Sequence, residues 1–235
     1  MEEVTIAQRF CGPPKSGNGG YSCGLLGKHI QGTCQVRLHQ PPPLDKPLSI
    51  SESAGDWSLK DGEQLIGSAK PAELAMVPPP PAPPTLEQAH SAQKHYRGHQ
   101  QHSFPTCFVC GPARSDGDGL RLFCGAVQER EIVACEWQPY ADLLDHSGNI
   151  KSQYIWAALD CPSYFALKTD KTCLLGQMTC AIDSPISGDK PLIVYAWQRS
   201  IEGRKHYSAA AISNCDGKII ARAEHLWIEI KSSAE

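Results

Sequence analysis

The sequence predicts an α+β protein built from two similar units, each a curved antiparallel sheet wrapped around one long helix. Three observations support this prediction. Residues 147–168 carry apolar side chains at helical spacing. Several shorter segments alternate apolar and polar residues, which is typical of half-buried strands. Short motifs also recur in the same order in the two halves of the chain, which indicates an internal duplication.

Composition narrows the class of protein. The chain has 235 residues, 41% of them apolar, and a net charge of −3, so it can form an ordinary core and lacks the basic surplus of a nucleic-acid-binding protein. No apolar run approaches the roughly 18–20 residues that span a bilayer, and the N-terminus lacks the apolar stretch of a signal peptide. Eleven cysteines lie scattered among apolar neighbours, as in a reducing compartment. We therefore expect a cytoplasmic protein without a membrane span or a nucleic-acid partner.

The first half begins with a predicted strand at 4–10 and a glycine-rich loop. A helix follows, which Ser16 or Asn18 would cap and which would stop near Gly32. Period-two patterns then predict four strands, at 33–40, 46–53, 56–60 and 63–70. The last two flank Asp61-Gly62, a pair typical of a tight hairpin turn.

A proline-rich stretch at 76–84 is the clearest boundary in the chain. We predict an N-terminal unit at 1–75, a linker with a short exposed helix at 76–100, and a C-terminal unit at 101–235. The second unit should contain the helix at 147–168 and six strands, at 119–127, 131–139, 174–183, 190–200, 205–214 and 218–231.

Four pairs of motifs connect the two halves, and they occur in the same order in each. The pairs are Ser16-Gly17-Asn18 with Ser147-Gly148-Asn149, Thr33-Cys34 with Thr179-Cys180, Lys46-Pro47-Leu48 with Lys190-Pro191-Leu192, and Asp61-Gly62 with Asp216-Gly217. Aligning Asn18 with Asn149 without gaps puts Asp160 opposite His29. The first helix then has no carboxylate and the second helix entrance has no glycine pair, which predicts one active site per chain.

Asp160 is the most unusual residue of the long helix. It lies among apolar neighbours, and Pro162 follows two residues later. Proline has no N–H, so it leaves the carbonyl of Ala158 without its helical partner and biases Cys161 away from helical geometry. A carboxylate beside such an irregularity is either a structural feature or a working acid.

Three segments resemble the hot-dog thioesterase superfamily. Residues 107–120, CFVCGPARSDGDGL, resemble the opening of many hot-dog thioesterase-like domains, and residues 156–166, WAALDCPSYFA, resemble the acid-bearing helix of that superfamily. Residues 10–24, FCGPPKSGNGGYSCG, look like the glycine-rich entry to the partner helix in tandem members. Outside 76–100 the chain therefore resembles a double hot-dog protein of the acyl-CoA thioesterase-like superfamily.

The resemblance implies hydrolysis of an acyl thioester, with acyl-CoA as the expected substrate, at the interface of the two units. Asp160 matches the family's helix acid and would activate water or attack the thioester. Gly19 and Gly20 would hold the developing oxyanion, since a helix N-terminus presents free N–H groups, and Asn18, the cap of that helix, would contact the substrate beside them. His146 and Trp156 complete the predicted substrate-binding set. The only cofactor chemistry implied is coenzyme A as part of the substrate, and the chain could pair into a homodimer.

Two other functions are also compatible with the sequence. The same fold can bind an acyl thioester without cleaving it, as a sensor or scaffold. A dehydratase acting on a hydroxyacyl thioester is the other alternative, with His146 near the second helix entrance as its candidate base.

Cys107 and Cys110 form a C-x-x-C pair that could suggest a zinc site. A closed zinc site needs four ligands, and the sequence has no second C-x-x-C pair. His99, His102 and Cys124 stand at no standard ligand spacing. We therefore predict no metal and expect these thiols to pack in a loop.

Overall fold

A computed structural model describes residues 2–230, and eleven strands within that range form one continuous antiparallel sheet. The strands are β1 (Glu2–Thr5), β2 (Cys34–Leu38), β3 (Pro47–Ser53), β4 (Asp56–Asp61), β5 (Gln64–Pro71), β6 (Gly125–Ala126), β7 (Val133–Trp137), β8 (Cys173–Ile182), β9 (Leu192–Glu202), β10 (Lys205–Ser213) and β11 (Ile219–Glu229). Their order across the sheet is β1-β3-β4-β5-β2-β8-β11-β10-β9-β7-β6.

The two halves of the chain meet in the middle of this sheet. Strand β2 from the first half pairs with β8 from the second, with Cys34 opposite Cys180 and Val36 opposite Met178. All four of these side chains are buried. In each half, the strand that follows the central helix is the one at this junction, so the backbone hydrogen bonds between β2 and β8 continue the sheet from one half to the other.

Helices lie on both faces of the sheet. They are α1 (Gly19–Gly27), α2 (Leu86–Gln93) and α3 (Ser152–Phe165), with 3-10 turns at Gln8–Phe10, Arg97–His99 and Ala141–Leu143. Helices α1 and α3 share the main core with Val194 and Ala196 of β9, whereas α2 packs against a second cluster that contains Ile193 and Tyr195. Because successive strand residues point to opposite faces, α2 covers the face opposite α1 and α3. None of the helices between residues 2 and 230 combines the length and apolar character needed to cross a membrane.

Helices α1 and α3 run antiparallel and approach each other through glycines. A Cβ on Gly20 would lie 2.4 Å from the Cβ of Asp160 and 2.7 Å from the carbonyl oxygen of Trp156. Near the other end, a Cβ on Gly24 would lie 2.5 Å from the Cα of Gln153. Only a residue without a side chain fits at such distances, so these glycines set the spacing of the two helices.

Most predicted strands and both predicted hairpin turns are confirmed, with shorter bounds in places. The strand predicted at 4–10 is mostly wrong, because β1 ends at Thr5 and residues 8–10 form a 3-10 turn. Gly62 and Gly217 adopt φ of +57° and +79° in the turns that precede β5 and β11. The predicted strand at 119–127 is wrong for the most part, because only Gly125 and Ala126 pair with a neighbouring strand. The residues before them instead run alongside the loop 104–111. The backbone N–H groups of Leu120 and Leu122 donate hydrogen bonds to the carbonyl oxygens of Phe108 and Val109 in that loop. The last predicted strand extends to Lys231, which lies outside the described residues.

Both central helices are shorter than predicted. Helix α1 ends at Gly27 instead of near Gly32. Helix α3 begins at Ser152 and continues through Pro162 to Phe165, so the proline is accommodated inside the last turn. The gapless alignment of the halves is also wrong, because α1 begins directly after Asn18 whereas α3 begins three residues after Asn149. Helix α2 confirms the short helix predicted in the linker, but it is only partly exposed, because Ala89 and Ala92 are buried against the sheet. The unit boundaries themselves stay predictions.

Candidate active site

The carboxylate of Asp160 is buried against the N-terminus of α1. The residue is 1% exposed, and its Oδ2 accepts hydrogen bonds from the backbone N–H of Gly20 and from the side-chain amide of Asn18, both at 2.9 Å. Its Oδ1 is equally buried, yet it has no hydrogen-bond partner among residues 2–230. One oxygen therefore anchors the group, while the other keeps its capacity to accept a proton or a hydrogen bond.

Burial dominates the protonation behaviour of this carboxyl group. Loss of solvent raises the pKa of Asp160 to about 7, because the charged form is poorly solvated, and the nearby Cys107 adds to the increase. The hydrogen bonds from Gly20 and Asn18 act in the opposite direction. A perturbed acid in a cleft is a feature of functional sites.

The sequence around α1 explains how its end reaches Asp160. Asn18 is the N-cap, and its Oδ1 accepts from the backbone N–H of Tyr21 at 2.9 Å. That bond leaves the side-chain amide of Asn18 to donate to Asp160. Gly20 donates its N–H to the same oxygen, and the N–H of Gly19 has no hydrogen-bond partner among the described residues. One helix end thus holds the acid and offers a further free donor.

Asp160 is not near the N-terminus of its own helix. It lies eight residues beyond Ser152, and a rise of ~1.5 Å per residue puts it roughly 12 Å along α3. The positive end of a helix dipole that acts on Asp160 is therefore that of α1. The acid and the helix end come from different halves of the chain, so neither half contains this arrangement alone.

A cavity of about 390 Å³ opens beside these groups, within the size range of small-molecule sites. Asn18, Gly19 and Asp160 all line it. Its walls come from the loop before α1, the end of β2, the loop 102–110, the second half of α3, and strands β8 and β11. The apolar lining residues include Leu38, Phe104, Leu174, Leu175, Trp227 and Ile228. This combination of a mostly apolar wall with a few polar groups suits an acyl chain with a reactive carbonyl.

Three buried cysteines also line this cavity. The sulfurs of Cys107, Cys110 and Cys161 lie within 4.8 Å of one another, and the Cys107 and Cys161 sulfurs are 3.6 Å apart. The thiols of Cys110 and Cys161, together with the amides of Cys110 and Val109, act on the Cys107 sulfur and hold the pKa of Cys107 well below its ordinary value. The C-x-x-C loop thus belongs to the cavity wall, beside Asp160.

Trp156 lies elsewhere. It lines a second cavity of about 260 Å³ with Gly27, Lys28 and Ser152, at the opposite end of the α1–α3 pair. Its indole packs so tightly on Gly27 that a Cβ there would be 2.5 Å from the Trp156 Cζ2 atom. Trp156 does not line the cavity that contains Asp160, and its packing is that of a core residue.

Replacing Trp156 with alanine is expected to lower the free energy of unfolding by about 3–5 kcal/mol, the usual cost of removing a buried tryptophan side chain. Urea denaturation would measure this loss. The milder Trp156→Phe variant, which keeps an aromatic ring, should bind acyl-CoA with wild-type affinity in calorimetry. Weakened binding in Trp156→Phe at wild-type stability would instead support the predicted contact with substrate.

His146 is also separate from the cavity. It lies exposed in the turn Asp145–Gly148 that precedes α3 and does not line the space around Asp160. Of the predicted site residues, the structure therefore brings together Asn18, Gly19, Gly20 and Asp160, and leaves His146 and Trp156 outside.

Sequence reasoning missed two features of this site. Cys161 gave a signal only through its place next to Asp160, and its contact with Cys107 depends on the tertiary fold. Leu175 was seen only as a strand residue, although its side chain lies against Gly19 in the cavity wall.

Comparisons with known proteins bear on the fold. No protein-family model matches the sequence, and no curated protein matches it either. Solved structures do match over nearly the whole chain. A tesB protein from Mycobacterium avium subsp. paratuberculosis is 10% identical, with a TM-score of 0.61 over 97% of this chain and 92% of that one. Acyl-CoA thioesterase II TesB2 from Mycobacterium marinum is 10% identical, with a TM-score of 0.59 over 99% and 94%.

A third match is a protein of unknown function with a hot-dog fold from Alicyclobacillus acidocaldarius. It is 12% identical, with a TM-score of 0.60 over 98% of this chain and 93% of that one. The chain therefore has the hot-dog fold that is also found in thioesterases, as its sequence motifs predicted.

Proposed function

We propose that this chain is a double hot-dog enzyme that hydrolyses an acyl thioester, with coenzyme A as the carrier. The observation that carries the proposal is the buried Asp160, held by the N-terminus of α1 at one oxygen and unpartnered at the other, in the wall of a mostly apolar cavity. The likeness to structures named as thioesterases supports the same class of reaction.

The proposed chemistry uses groups that already surround the cavity. The thioester carbonyl oxygen accepts a hydrogen bond from the free N–H of Gly19, at the positive end of the α1 dipole. Oδ1 of Asp160 takes a proton from a water molecule, whose oxygen bonds to the carbonyl carbon. The tetrahedral intermediate then expels the thiolate, which receives the proton from Asp160. The same oxygen could attack the carbonyl directly, and Asp160 would then be a nucleophile.

One active site per chain fits this arrangement. The first unit supplies the helix end at Asn18–Gly20, and the second supplies Asp160. The second cavity, at the N-terminus of α3, is lined by no carboxylate among the described residues and contains the Trp156 ring. Homodimerisation and a cytoplasmic location stay predictions from the sequence.

A binding protein without hydrolysis is the alternative that a specific observation favours. The N–H of Gly20, which the sequence assigned to the oxyanion, is engaged by Asp160. Only one of the two predicted donors therefore stays free for substrate. The dehydratase alternative loses its candidate base, because His146 lies outside the cavity.

Incubation with acyl-CoAs of several chain lengths tests the proposal. Free coenzyme A should be followed by chromatography, because the exposed Cys215 would react with thiol reagents. We expect release well above the uncatalysed rate for at least one chain length. Tight binding without release at any chain length would refute hydrolysis and favour the binding protein.

Asn18 offers a separate test of how Asp160 is held. Asn18→Ser keeps a good helix cap but loses the donor to Asp160, whereas Asn18→Ala loses both. We expect turnover to fall about tenfold or more in both variants, since a hydrogen bond to a charged group contributes roughly 1.5–3 kcal/mol. Only Asn18→Ala should lose a further ~1 kcal/mol of stability from the missing cap. Wild-type turnover in Asn18→Ser would contradict this role.

A further inference from the structure

The three cysteines of the cavity wall converge from two separate parts of the chain. Cys107 and Cys110 belong to the loop 104–111, and Cys161 belongs to α3, more than 50 residues later. All three are buried and free, and all three line the cavity. Among the described residues, they are the one group of histidine, cysteine, aspartate or glutamate side chains whose ligand atoms meet closely enough to hold a metal ion.

The spacing of the sulfurs matches a tetrahedral thiolate site. With a Zn–S bond of about 2.3 Å, two thiolates on one tetrahedral ion lie roughly 3.8 Å apart. The Cys107 and Cys161 sulfurs are 3.6 Å apart. The third sulfur lies within 4.8 Å of both, so small side-chain rotations would bring all three onto one ion.

The backbone of the loop that carries Cys107 and Cys110 is closely packed. Gly111 follows Cys110 directly, and a Cβ on Gly111 would lie 2.5 Å from the carbonyl oxygens of both Cys107 and Pro105. The N–H of Gly111 donates to the carbonyl of Cys107 at 2.9 Å, which closes the turn. This turn aims both thiols of the C-x-x-C pair at α3.

Hydrogen-bond donors also face the sulfurs from outside the loop. The side-chain amide nitrogen of Asn18 lies 3.6 Å from the Cys161 sulfur and 3.9 Å from the Cys107 sulfur. Donors around the first ligands orient them and stabilise their charged forms, as in established metal sites. The amide group of Asn18 can serve both Asp160 and this cluster, because it has two hydrogens.

The neighbouring imidazole does not supply a fourth ligand. The backbone N–H of Phe104 donates to Nδ1 of His102 at 3.0 Å. In a neutral ring whose Nδ1 accepts, Nε2 carries the proton and cannot bind a metal. The described residues supply no fourth ligand, and all three cysteines line the cavity, so the fourth position is left to water or to a cavity ligand.

We propose that Cys107, Cys110 and Cys161 form a binding site for one thiophilic divalent cation, of the zinc and cadmium class, with an open fourth position toward the cavity. Thiolates select such ions over Mg²⁺ and Ca²⁺, which prefer oxygen ligands. The ion would link the C-x-x-C loop to α3 and so fix the wall beside Asp160. Its binding is independent of whether the chain hydrolyses thioesters.

The test uses the full chain, reduced and stripped of metal with a chelator, and Cd²⁺ as the probe. Thiolate–cadmium charge transfer gives an ultraviolet absorption that reports binding without any enzyme assay. We expect one Cd²⁺ per chain and a higher melting temperature in its presence. Each of Cys107→Ser, Cys110→Ser and Cys161→Ser should weaken binding at least about tenfold, because even the loss of an outer-shell partner costs that much.

Cys215→Ser is the matched control, since Cys215 is exposed and is not part of the three-cysteine cluster. It should keep the absorption, the stoichiometry and the Cd²⁺-induced rise in melting temperature. Circular dichroism confirms that each serine variant is folded, and Cys161→Ala replaces Cys161→Ser if the latter is not. An absent absorption band, a band that survives both Cys107→Ser and Cys161→Ser, or a Cys107–Cys161 disulfide with no Cd²⁺ binding after reduction would overturn the site.

Discussion

Asp160→Asn is expected to lower the turnover of acyl-CoA by roughly 10²–10⁴-fold, the usual contribution of a positioned general base. Asparagine has nearly the same shape as aspartate. Its side-chain oxygen can still accept from Gly20 and Asn18, which donate to Asp160 Oδ2 at 2.9 Å, so the helices should stay in place. The position of Oδ1 would then hold an amide nitrogen, which can neither take a proton from water nor attack a carbonyl. Steady-state release of coenzyme A measures the loss.

Comparison of Asp160→Ala with Asp160→Asn separates the role of Asp160 in the reaction from its role in stability. Asp160→Ala removes the base and also leaves the N–H of Gly20 and the amide of Asn18 without their partner, so it should lose stability as well as turnover. Asp160→Asn should keep near wild-type affinity for acyl-CoA in calorimetry, because the cavity walls do not change. If both variants release coenzyme A at the wild-type rate, Asp160 has no part in the reaction.

Gly20→Ala is expected to lower the free energy of unfolding by about 1–3 kcal/mol, the typical cost of overpacking a core. In an unconstrained helix the same change raises stability by roughly 0.5–1 kcal/mol, so the sign of the effect is diagnostic. The new Cβ would lie 2.4 Å from the Asp160 Cβ and 2.7 Å from the carbonyl oxygen of Trp156. Helices α1 and α3 must separate to relieve this, which also breaks the bond from Gly20 to Asp160. Urea denaturation and turnover should both report the change.

Gly19→Ala is the matched control, one residue earlier in the same helix. The three atoms nearest to its Cβ would all belong to the Leu175 side chain, with Cδ2 at 2.9 Å and Cβ at 3.0 Å, and none is a backbone atom. Leu175 borders the cavity, so its branched end has space to shift. We expect a smaller loss of stability than with Gly20→Ala. A Gly20→Ala variant that is as stable as the wild type would show that the helices are not held at this spacing by the glycine.

Local sequence patterns predicted most of the sheet because strands and tight turns depend on nearby residues. Alternation over β8 to β11 and the Asp-Gly pairs at 61–62 and 216–217 needed no tertiary information. The strand predicted at 119–127 is mostly wrong because the prediction used local periodicity alone. Leucine alternates with a polar residue over Leu120, Arg121 and Leu122, which resembles a strand. The backbone partners of Leu120 and Leu122 are in the loop 104–111, a pairing that periodicity cannot detect.

The parts of the site that local sequence motifs determine were predictable. Asn18 before a glycine pair indicates a capped helix end, and Asp160 within an apolar helix indicates a buried acid. Trp156 and His146 were chosen by their closeness in sequence to Asp160 and to the helix entrance. Spatial proximity was decided instead by the antiparallel packing of α1 on α3, which turns Trp156 toward Gly27. The convergence of Cys161 with Cys107 depends on the same packing and has no local signal.

In the proposed complex, the thioester carbonyl lies between Asp160 and the N-terminus of α1. The most direct measurement is a crystal structure of the Asp160→Asn variant with an acyl-CoA bound. We expect the carbonyl carbon next to the side chain at position 160, its oxygen within hydrogen-bond distance of the Gly19 N–H, and the acyl chain along the apolar wall of the cavity. An acyl group in the second cavity beside Trp156, or a carbonyl beyond the reach of position 160 and Gly19, would contradict it.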